Sequence, residues 1–251
     1  MAVNDTFVME SGAFAVREDL GEAFRRSWAH IAKPGSEWSG AERIAIAEET
    51  RNAWDCSLCE ERKAALSPYG VDGDHAASEV LPAVAVEAIH RITTDPGRLT
   101  EKWFKGLLSG GLTESQYAEI IGIVGTVTSI DTFYRALGMA LQPLPDPLQG
   151  RATGYRPDRL SSGGSWLPLL MENDLADAER DIYGGLKHGA NVLRCMSIVP
   201  DEVRNLIQLA EAMYMSDRDV ANFKATAGRA ITRDQIEMLS SRVSINNECF
   251  Y

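Results

Sequence analysis

Cysteine is scarce in this chain, with 4 among 251 residues. That is too few for the disulfide framework that stabilises many small secreted proteins. The first residues, Met1–Asp5, also lack the basic start and long apolar run of a signal peptide. We therefore expect a cytoplasmic protein, in which closely spaced cysteines are more often catalytic or metal-binding than structural.

Long hydrophobic runs and positive charge are also lacking. No apolar stretch approaches the roughly 18 residues that a membrane-spanning helix needs. The 25 lysines and arginines are outnumbered by 36 aspartates and glutamates, which gives a net charge of −11. Such a charge disfavours nucleic-acid backbones and anionic lipids, so we expect neither a nucleic acid nor a membrane as a partner. The length and the hydrophobic fraction of 45% suit one large domain or two small ones.

Several ligand-binding motifs are missing as well. No glycine-rich loop leads into a helix with a following lysine, so no nucleotide site is indicated. A zinc site would need two ligands beyond a single cysteine pair, and the sequence has no second Cys-x-x-Cys and no His-x-His. The sequence therefore predicts no cofactor and no bound metal.

Helical patterning fills most of the chain. Three capping boxes, which begin at Ser39, Thr113 and Thr232, predict helix starts. Apolar residues at helical spacing predict the helices, and prolines and glycines predict where several of them end. The predicted ranges are Leu20–Ile31, Glu42–Leu66, Pro82–Ile92, Leu99–Leu108, Tyr117–Leu137, Asn173–Leu186, Asp201–Met215 and Asp217–Ala227, and a last helix from Thr232 toward Cys249.

A segment of different amino-acid composition divides the chain. Residues 142–166 hold four of the ten prolines among several glycines, which is typical of a linker or a long crossing loop. We therefore expect an all-α fold with two helical lobes, residues 1–141 and residues 167–251, joined by this segment.

The pair Cys56-Ser-Leu-Cys59 is the most informative motif. Two thiols three residues apart on a helix share one face, where they can form a disulfide or hold a metal. A helix N-terminus or a cation that lowers one thiol pKa makes that thiol a nucleophile. Redox chemistry, metal binding and plain core packing all remain open for this pair.

A second motif carries a family resemblance. Glu237, Ser244 and Cys249 match in type and spacing the active-site helix of the alkylhydroperoxidase D-like, or carboxymuconolactone decarboxylase, superfamily. That helix reads Glu, six residues, Ser, four residues, Cys, two residues, Cys, three residues, His. Because the sequence stops at Tyr251, the second lobe is expected to lack the complete constellation.

The first lobe is similar to the same family. Cys56 and Cys59 match its cysteine pair, and Gly111–Val124 resembles the helix that follows the active-site helix. Lys63 stands where the family has its histidine, and Ile44 where it has its glutamate. The resemblance implies an all-helical fold with two lobes of that type, a homo-oligomer, and a thiol-dependent peroxidase that acts on a peroxide and is reduced by an external dithiol.

The resemblance also implies roles for individual residues. Cys59 would react with the peroxide, and Cys56 would resolve the product as a disulfide. His90, on the following helix, is the best replacement for the missing histidine, and His75 in the intervening loop is second. Glu49, seven residues before Cys56, would share its face on a continuous helix and could relay a proton.

Other interpretations stay open. Glu119 interrupts an apolar helix, as either a buried proton relay or an interface salt bridge. Lys63 in place of histidine, together with the stop after Tyr251, favours a non-catalytic homo-oligomer that keeps the fold. A decarboxylase of a small lactone acid is a third possibility, although that chemistry does not need two cysteines.

Overall fold

A computed structural model of the chain describes residues 16–76, 79–184, 191–247 and 249. This part is mostly helical and contains one two-stranded sheet, which confirms the all-α prediction. Met1–Asp5, Phe250 and Tyr251, on which part of the sequence analysis depends, lie outside the described residues. The α-helices are α1 (Glu18–Ala32), α2 (Gly40–Asn52), α3 (Ser57–Ala64), α4 (Ala83–Thr94), α5 (Glu101–Ser109), α6 (Glu114–Ala136), α7 (Asn191–Arg194), α8 (Pro200–Met213), α9 (Asp217–Val220) and α10 (Arg233–Asn246).

All three predicted capping boxes are present. In the first, the Ser39 hydroxyl accepts a hydrogen bond from the Glu42 backbone N–H, while the Glu42 carboxylate accepts from the Ser39 backbone at 2.8 Å. Thr113 and Thr232 begin α6 and α10 in the same way. These local patterns fix the helix starts because they satisfy N–H groups that have no partner within the helix.

The helix predicted over Glu42–Leu66 is interrupted, so that prediction was wrong. After α2, Ala53–Asp55 form a 3-10 turn, and Cys56 is extended (φ −82°, ψ 118°) as the N-cap of α3. Apart from Ala53, the residues at the break (Asn52, Trp54, Asp55 and Cys56) are weaker helix formers than the alanines and glutamates before them. Cys56 and Cys59 therefore lie at the start of a new helix, and Glu49 does not share a continuous helical face with Cys56.

Two other predicted helices are shorter or missing. Within Asn173–Leu186, the structure has a 3-10 turn over Glu172–Asp174 and further turns up to Gly184, and the last two residues lie outside the described ranges. The helix predicted over Asp217–Ala227 ends at Val220. Both segments are rich in aspartate and asparagine, whose side chains compete for backbone hydrogen bonds and favour turns.

One hydrophobic core spans most of the described chain. α6 packs against α2, α4 and α8, and α1 packs against α2 and α8. Leu209 and Ala212 of α8 belong to the same buried cluster as Phe24 of α1 and Ile123 of α6. Among the described residues, no helix has both the length and the apolar character that crossing a membrane requires.

The Pro/Gly-rich segment 142–166 runs over this core without a helix. Trp28 donates to the Pro143 carbonyl at 2.9 Å, and the Leu148 N–H donates to the Ala32 carbonyl at 2.8 Å. Near its end, strand β1 (Leu160–Ser161) pairs antiparallel with β2 (Leu169–Leu170). The segment is thus bonded to α1 along its course.

Candidate functional site

Two cysteines and two histidines meet beside the core. The ligand atoms of Cys56, Cys59, His75 and His90 all lie within 4.8 Å of one another. The cysteines come from the start of α3, His75 from the loop after it, and His90 from α4. Both cysteines and His90 are buried, and only 7% of the His75 side chain is exposed. We call this group the Cys₂His₂ cluster.

Both imidazoles turn the same nitrogen toward the sulfurs. Cys59 Sγ lies 3.2 Å from His90 Nδ1 and 3.7 Å from His75 Nδ1. Cys56 Sγ lies 3.4 Å from His75 Nδ1. Each thiol is therefore within hydrogen-bonding distance of an imidazole, and the two rings lie with their centroids 4.0 Å apart.

A carboxylate holds the far nitrogen of each histidine. His90 Nε2 lies 2.7 Å from Glu49 Oε1, and both side chains are fully buried because α2 packs against α4. His75 Nε2 lies 2.8 Å from Glu87 Oε2. An ionised carboxylate only accepts hydrogen bonds, so each Nε2 carries the hydrogen and each Nδ1 is left to face sulfur.

Glu87 is itself held from two sides. Arg62 donates to it at 2.8 Å and the Trp103 indole at 3.0 Å. Burial alone would raise the pKa of Glu87, but the hydrogen bonds from His75, Trp103 and Arg62 lower it to about 2. Arg62 also donates to the Val71 carbonyl at 3.1 Å, which ties the loop carrying His75 to α3.

The two histidines have opposite pKa shifts. Burial works against charge on His75, but its hydrogen bonds with Cys59 and Glu87 raise its pKa to about 10. Burial lowers the pKa of His90, and the charge of His75 adds to that effect against the opposing hydrogen bond to Glu49. His75 is thus cationic and His90 neutral at pH 7, which is the separation expected of an acid and a base.

His75 also affects the neighbouring thiol. Burial raises the pKa of Cys56, but the hydrogen bonds with His75 and Cys59 and the charge of His75 together outweigh burial and lower that pKa below its ordinary value. A cation next to a thiol at a helix start favours the thiolate, the form that acts as a nucleophile or as a metal ligand.

The structure brings together most of the candidates named from the sequence. Cys56, Cys59, His75, His90 and Glu49 are all in contact within this site. Lys63, which occupies the position of the family's histidine, is exposed.

Sequence analysis missed three residues of the site, namely Glu87, Arg62 and Trp103. One pattern could have found the first of them. Glu87 precedes His90 by three residues, so the two share a face of α4.

Glu119 belongs to a different group, which we call the buried ion cluster. Its carboxylate binds Arg43 and accepts from the Glu37 N–H at 2.8 Å. Arg43 also binds Glu202 of α8 at 2.9 Å, and His30 Nε2 lies 2.8 Å from Glu202 Oε1. Glu119 thus forms a buried ion pair within the chain, which is neither the proton relay nor the interface salt bridge that the sequence analysis considered.

No protein-family model, curated protein or solved structure matches this chain. The chemistry must therefore be inferred from the geometry. Two thiols that face imidazoles held by carboxylates can exchange protons and electrons with a substrate, or can hold a metal ion.

Proposed function

We propose that the protein is a thiol-dependent peroxidase, in which Cys59 reacts with a hydroperoxide and Cys56 resolves the product. One observation carries the proposal: Cys59 Sγ lies 3.2 Å from His90 Nδ1, and His90 Nε2 lies 2.7 Å from Glu49 Oε1. A nucleophile, a base within hydrogen-bond reach, and a third group that orients the base are the parts that activate such nucleophiles.

The first step oxidises Cys59. Its thiol gives a proton to His90 Nδ1, and the sulfur attacks one oxygen of the hydroperoxide ROOH. The O–O bond breaks, the sulfur becomes a sulfenic acid, and the departing alkoxide takes the proton from His90 and leaves as the alcohol ROH. Glu49 orients His90 and stabilises the imidazolium while it holds the proton, as a carboxylate does in a catalytic triad.

The second step forms the disulfide. The Cys56 thiolate attacks the sulfenic sulfur of Cys59, the S–O bond breaks, and the hydroxide leaves as water with the proton that His75 holds. An external dithiol then reduces the disulfide by thiol–disulfide exchange and returns both cysteines to thiols. Peroxide and dithiol are the only co-reactants, and two electrons pass from one to the other.

The fold and assembly that this proposal implies are those of the alkylhydroperoxidase D-like proteins, with two helical lobes and a homo-oligomer. The long apolar helix α6 is largely buried within the chain's own core. The support for an oligomer comes instead from α10, where Met238, Leu239 and Val243 are 71%, 58% and 58% exposed.

The test follows hydroperoxide consumption by the chelator-treated chain with dithiothreitol as reductant. We expect Cys59→Ser to abolish consumption and to form no sulfenic acid that dimedone can trap. Cys56→Ser treated with hydroperoxide in the absence of dithiothreitol should keep a trappable sulfenic acid on Cys59, because only the resolving thiol is lost. Cys195→Ser, a cysteine outside the Cys₂His₂ cluster, is the matched control and should keep the parent rate.

Mass spectrometry adds a second measurement. The peroxide-treated parent should lose about 2 Da in the peptide that carries both cysteines, as a disulfide requires. Independent sulfonic acids on the two thiols would contradict the resolving role of Cys56. Full activity in Cys59→Ser would overturn the role of Cys59, and a parent chain that consumes no hydroperoxide would overturn the proposal and favour the non-catalytic oligomer.

A further inference from the structure

We propose that Cys56, Cys59, His75 and His90 also form a tetrahedral site for one Zn²⁺ ion, and that bound zinc and peroxide oxidation exclude each other. Metal binding stands on the geometry of the cluster alone. The mutual exclusion rests in addition on the proposed peroxidase function.

The spacing of the cluster fits the ion. With zinc bonded to sulfur at about 2.3 Å and to nitrogen at about 2.0–2.1 Å, a tetrahedron separates a sulfur from a nitrogen by about 3.6 Å. The three sulfur–nitrogen separations given above are 3.2, 3.4 and 3.7 Å. All four ligand atoms lie within 4.8 Å of one another, so they surround one position that a central ion can occupy.

The orientation of the histidines is a second, independent observation. Both present Nδ1 to the sulfurs and have Nε2 bound to a carboxylate, Glu49 for His90 and Glu87 for His75. A carboxylate on the far nitrogen fixes the tautomer and aims the lone pair, and this arrangement accompanies most metal-binding histidines. Cysteines that only fill a core would not require two histidines oriented in this way.

Charge and ligand type select zinc among common divalent ions. Two thiolates neutralise the ion's two positive charges, so the loaded cluster is neutral and compatible with its burial. Thiolate and imidazole ligands suit Zn²⁺, whereas Mg²⁺ and Ca²⁺ prefer oxygen. The four protein ligands complete the coordination, as in structural sites, and leave no position for a substrate.

Zinc binding and oxidation by peroxide then compete for the same sulfur and nitrogen atoms. Binding converts Zn²⁺, the Cys59 thiol and the Cys56 thiolate with its His75 imidazolium partner into a zinc dithiolate, and releases two protons, one from Cys59 and one from His75 Nδ1. In that state the Cys59 sulfur and His90 Nδ1 are both bonded to metal, so the sulfur is less nucleophilic and the base is blocked. Oxidation of the dithiolate by ROOH with two protons gives the disulfide, free Zn²⁺, ROH and water, because the disulfide has lost two of the four ligands.

The binding test uses the full chain, freed of metal with a chelator and then titrated with Co²⁺ and Zn²⁺. We expect one ion per chain, with the visible bands and thiolate charge-transfer absorption of tetrahedral cobalt. Cys56→Ser and His75→Ala should each lose this spectrum. Glu87→Gln, which leaves all four ligands in place, should weaken zinc binding by about 10- to 100-fold. Cys195→Ser should bind like the parent, and circular dichroism would verify that each variant is folded.

The exclusion test measures peroxide consumption and zinc release in parallel. We expect stoichiometric zinc to slow oxidation of the two thiols, and hydroperoxide to release one zinc ion per disulfide formed. A folded Cys56→Ser or His75→Ala variant with the parent's cobalt spectrum would overturn the metal site. Equal oxidation rates with and without zinc would overturn the exclusion. A metal-free chain that binds zinc but consumes no peroxide would refute the peroxidase proposal and leave the metal site intact.

Discussion

Gly122, in the middle of α6, lies at a close contact between α6 and α8. A Cβ atom at this position would lie 2.8 Å from both Cβ and Cγ of Glu202, and nearer still to a carboxylate oxygen. Gly125 is on the same helix, but a Cβ there would meet nothing within 4 Å. Replacing each glycine by alanine makes the same chemical change in two opposite environments.

The expected effects differ in sign. Alanine in a helix interior is favoured over glycine by about 1 kcal/mol, so Gly125→Ala should stabilise the protein by up to that amount. Gly122→Ala must push Glu202 away from Arg43 and His30, which bind it in the buried ion cluster. Breaking a buried ion pair costs about 3–5 kcal/mol. After the helix gain, we expect Gly122→Ala to lower the free energy of unfolding by about 2–4 kcal/mol.

Urea unfolding followed by circular dichroism measures both variants. The midpoint should fall for Gly122→Ala and rise slightly for Gly125→Ala, with the slope of free energy against urea unchanged. A Gly122→Ala midpoint equal to or above the parent's would refute the close contact between α6 and α8 and the contribution assigned to the buried ion cluster.

Three further predictions concern the site, pH and assembly. Glu49→Gln should slow sulfenic acid formation by about 10²-fold or more, because the base loses the carboxylate that orients it. Burial raises the pKa of Glu202, but Arg43 and His30 outweigh burial and lower it to about 2. Its folded-state pKa is therefore below the ordinary 4.5, so the stability that it provides is complete above that pH and is lost as pH falls toward 2. The stability difference between parent and Glu202→Gln should shrink over that window in urea titrations at several pH values. Sedimentation should give a mass above that of one chain, and Met238→Ser should weaken the association.

Matched controls separate these effects from general damage. Glu119→Gln changes a buried acid outside the Cys₂His₂ cluster, so it should lower stability and leave the rate of sulfenic acid formation unchanged. A rate equally reduced by Glu119→Gln would contradict the specific role of Glu49. Leu66→Ser changes an exposed leucine that lies outside α10, so it should not alter the sedimentation mass.

Features encoded over a few residues could be predicted from the sequence. The capping boxes at Ser39, Thr113 and Thr232 depend on residues three apart, and all three form. The contact of His90 with the cysteine pair was also anticipated, because a hairpin between consecutive helices brings them together. The role of these residues in catalysis stays a prediction.

Features that depend on tertiary contacts could not be predicted. Weaker helix formers around Trp54 permit a break, but the helical pattern continues across Ala53–Asp55, and the packing of the start of α3 beside α4 sets where the chain turns. The pairing of Glu87 with His75 joins a helix to a loop, so no spacing rule predicts it. Sequence analysis named His75 and His90 as candidates, but only the fold shows that both converge on the cysteine pair.

The position of α8 in the common core also affects how the chain is made. About 170 residues separate the end of α1 from the start of α8, and a ribosome needs roughly 10–30 s to synthesise them. Until α8 emerges, the apolar faces of α1 and α6 that it later covers are exposed to solvent on the nascent chain. The protein therefore has a defined interval during its own synthesis in which these exposed faces are prone to aggregation, and that interval closes when α8 docks.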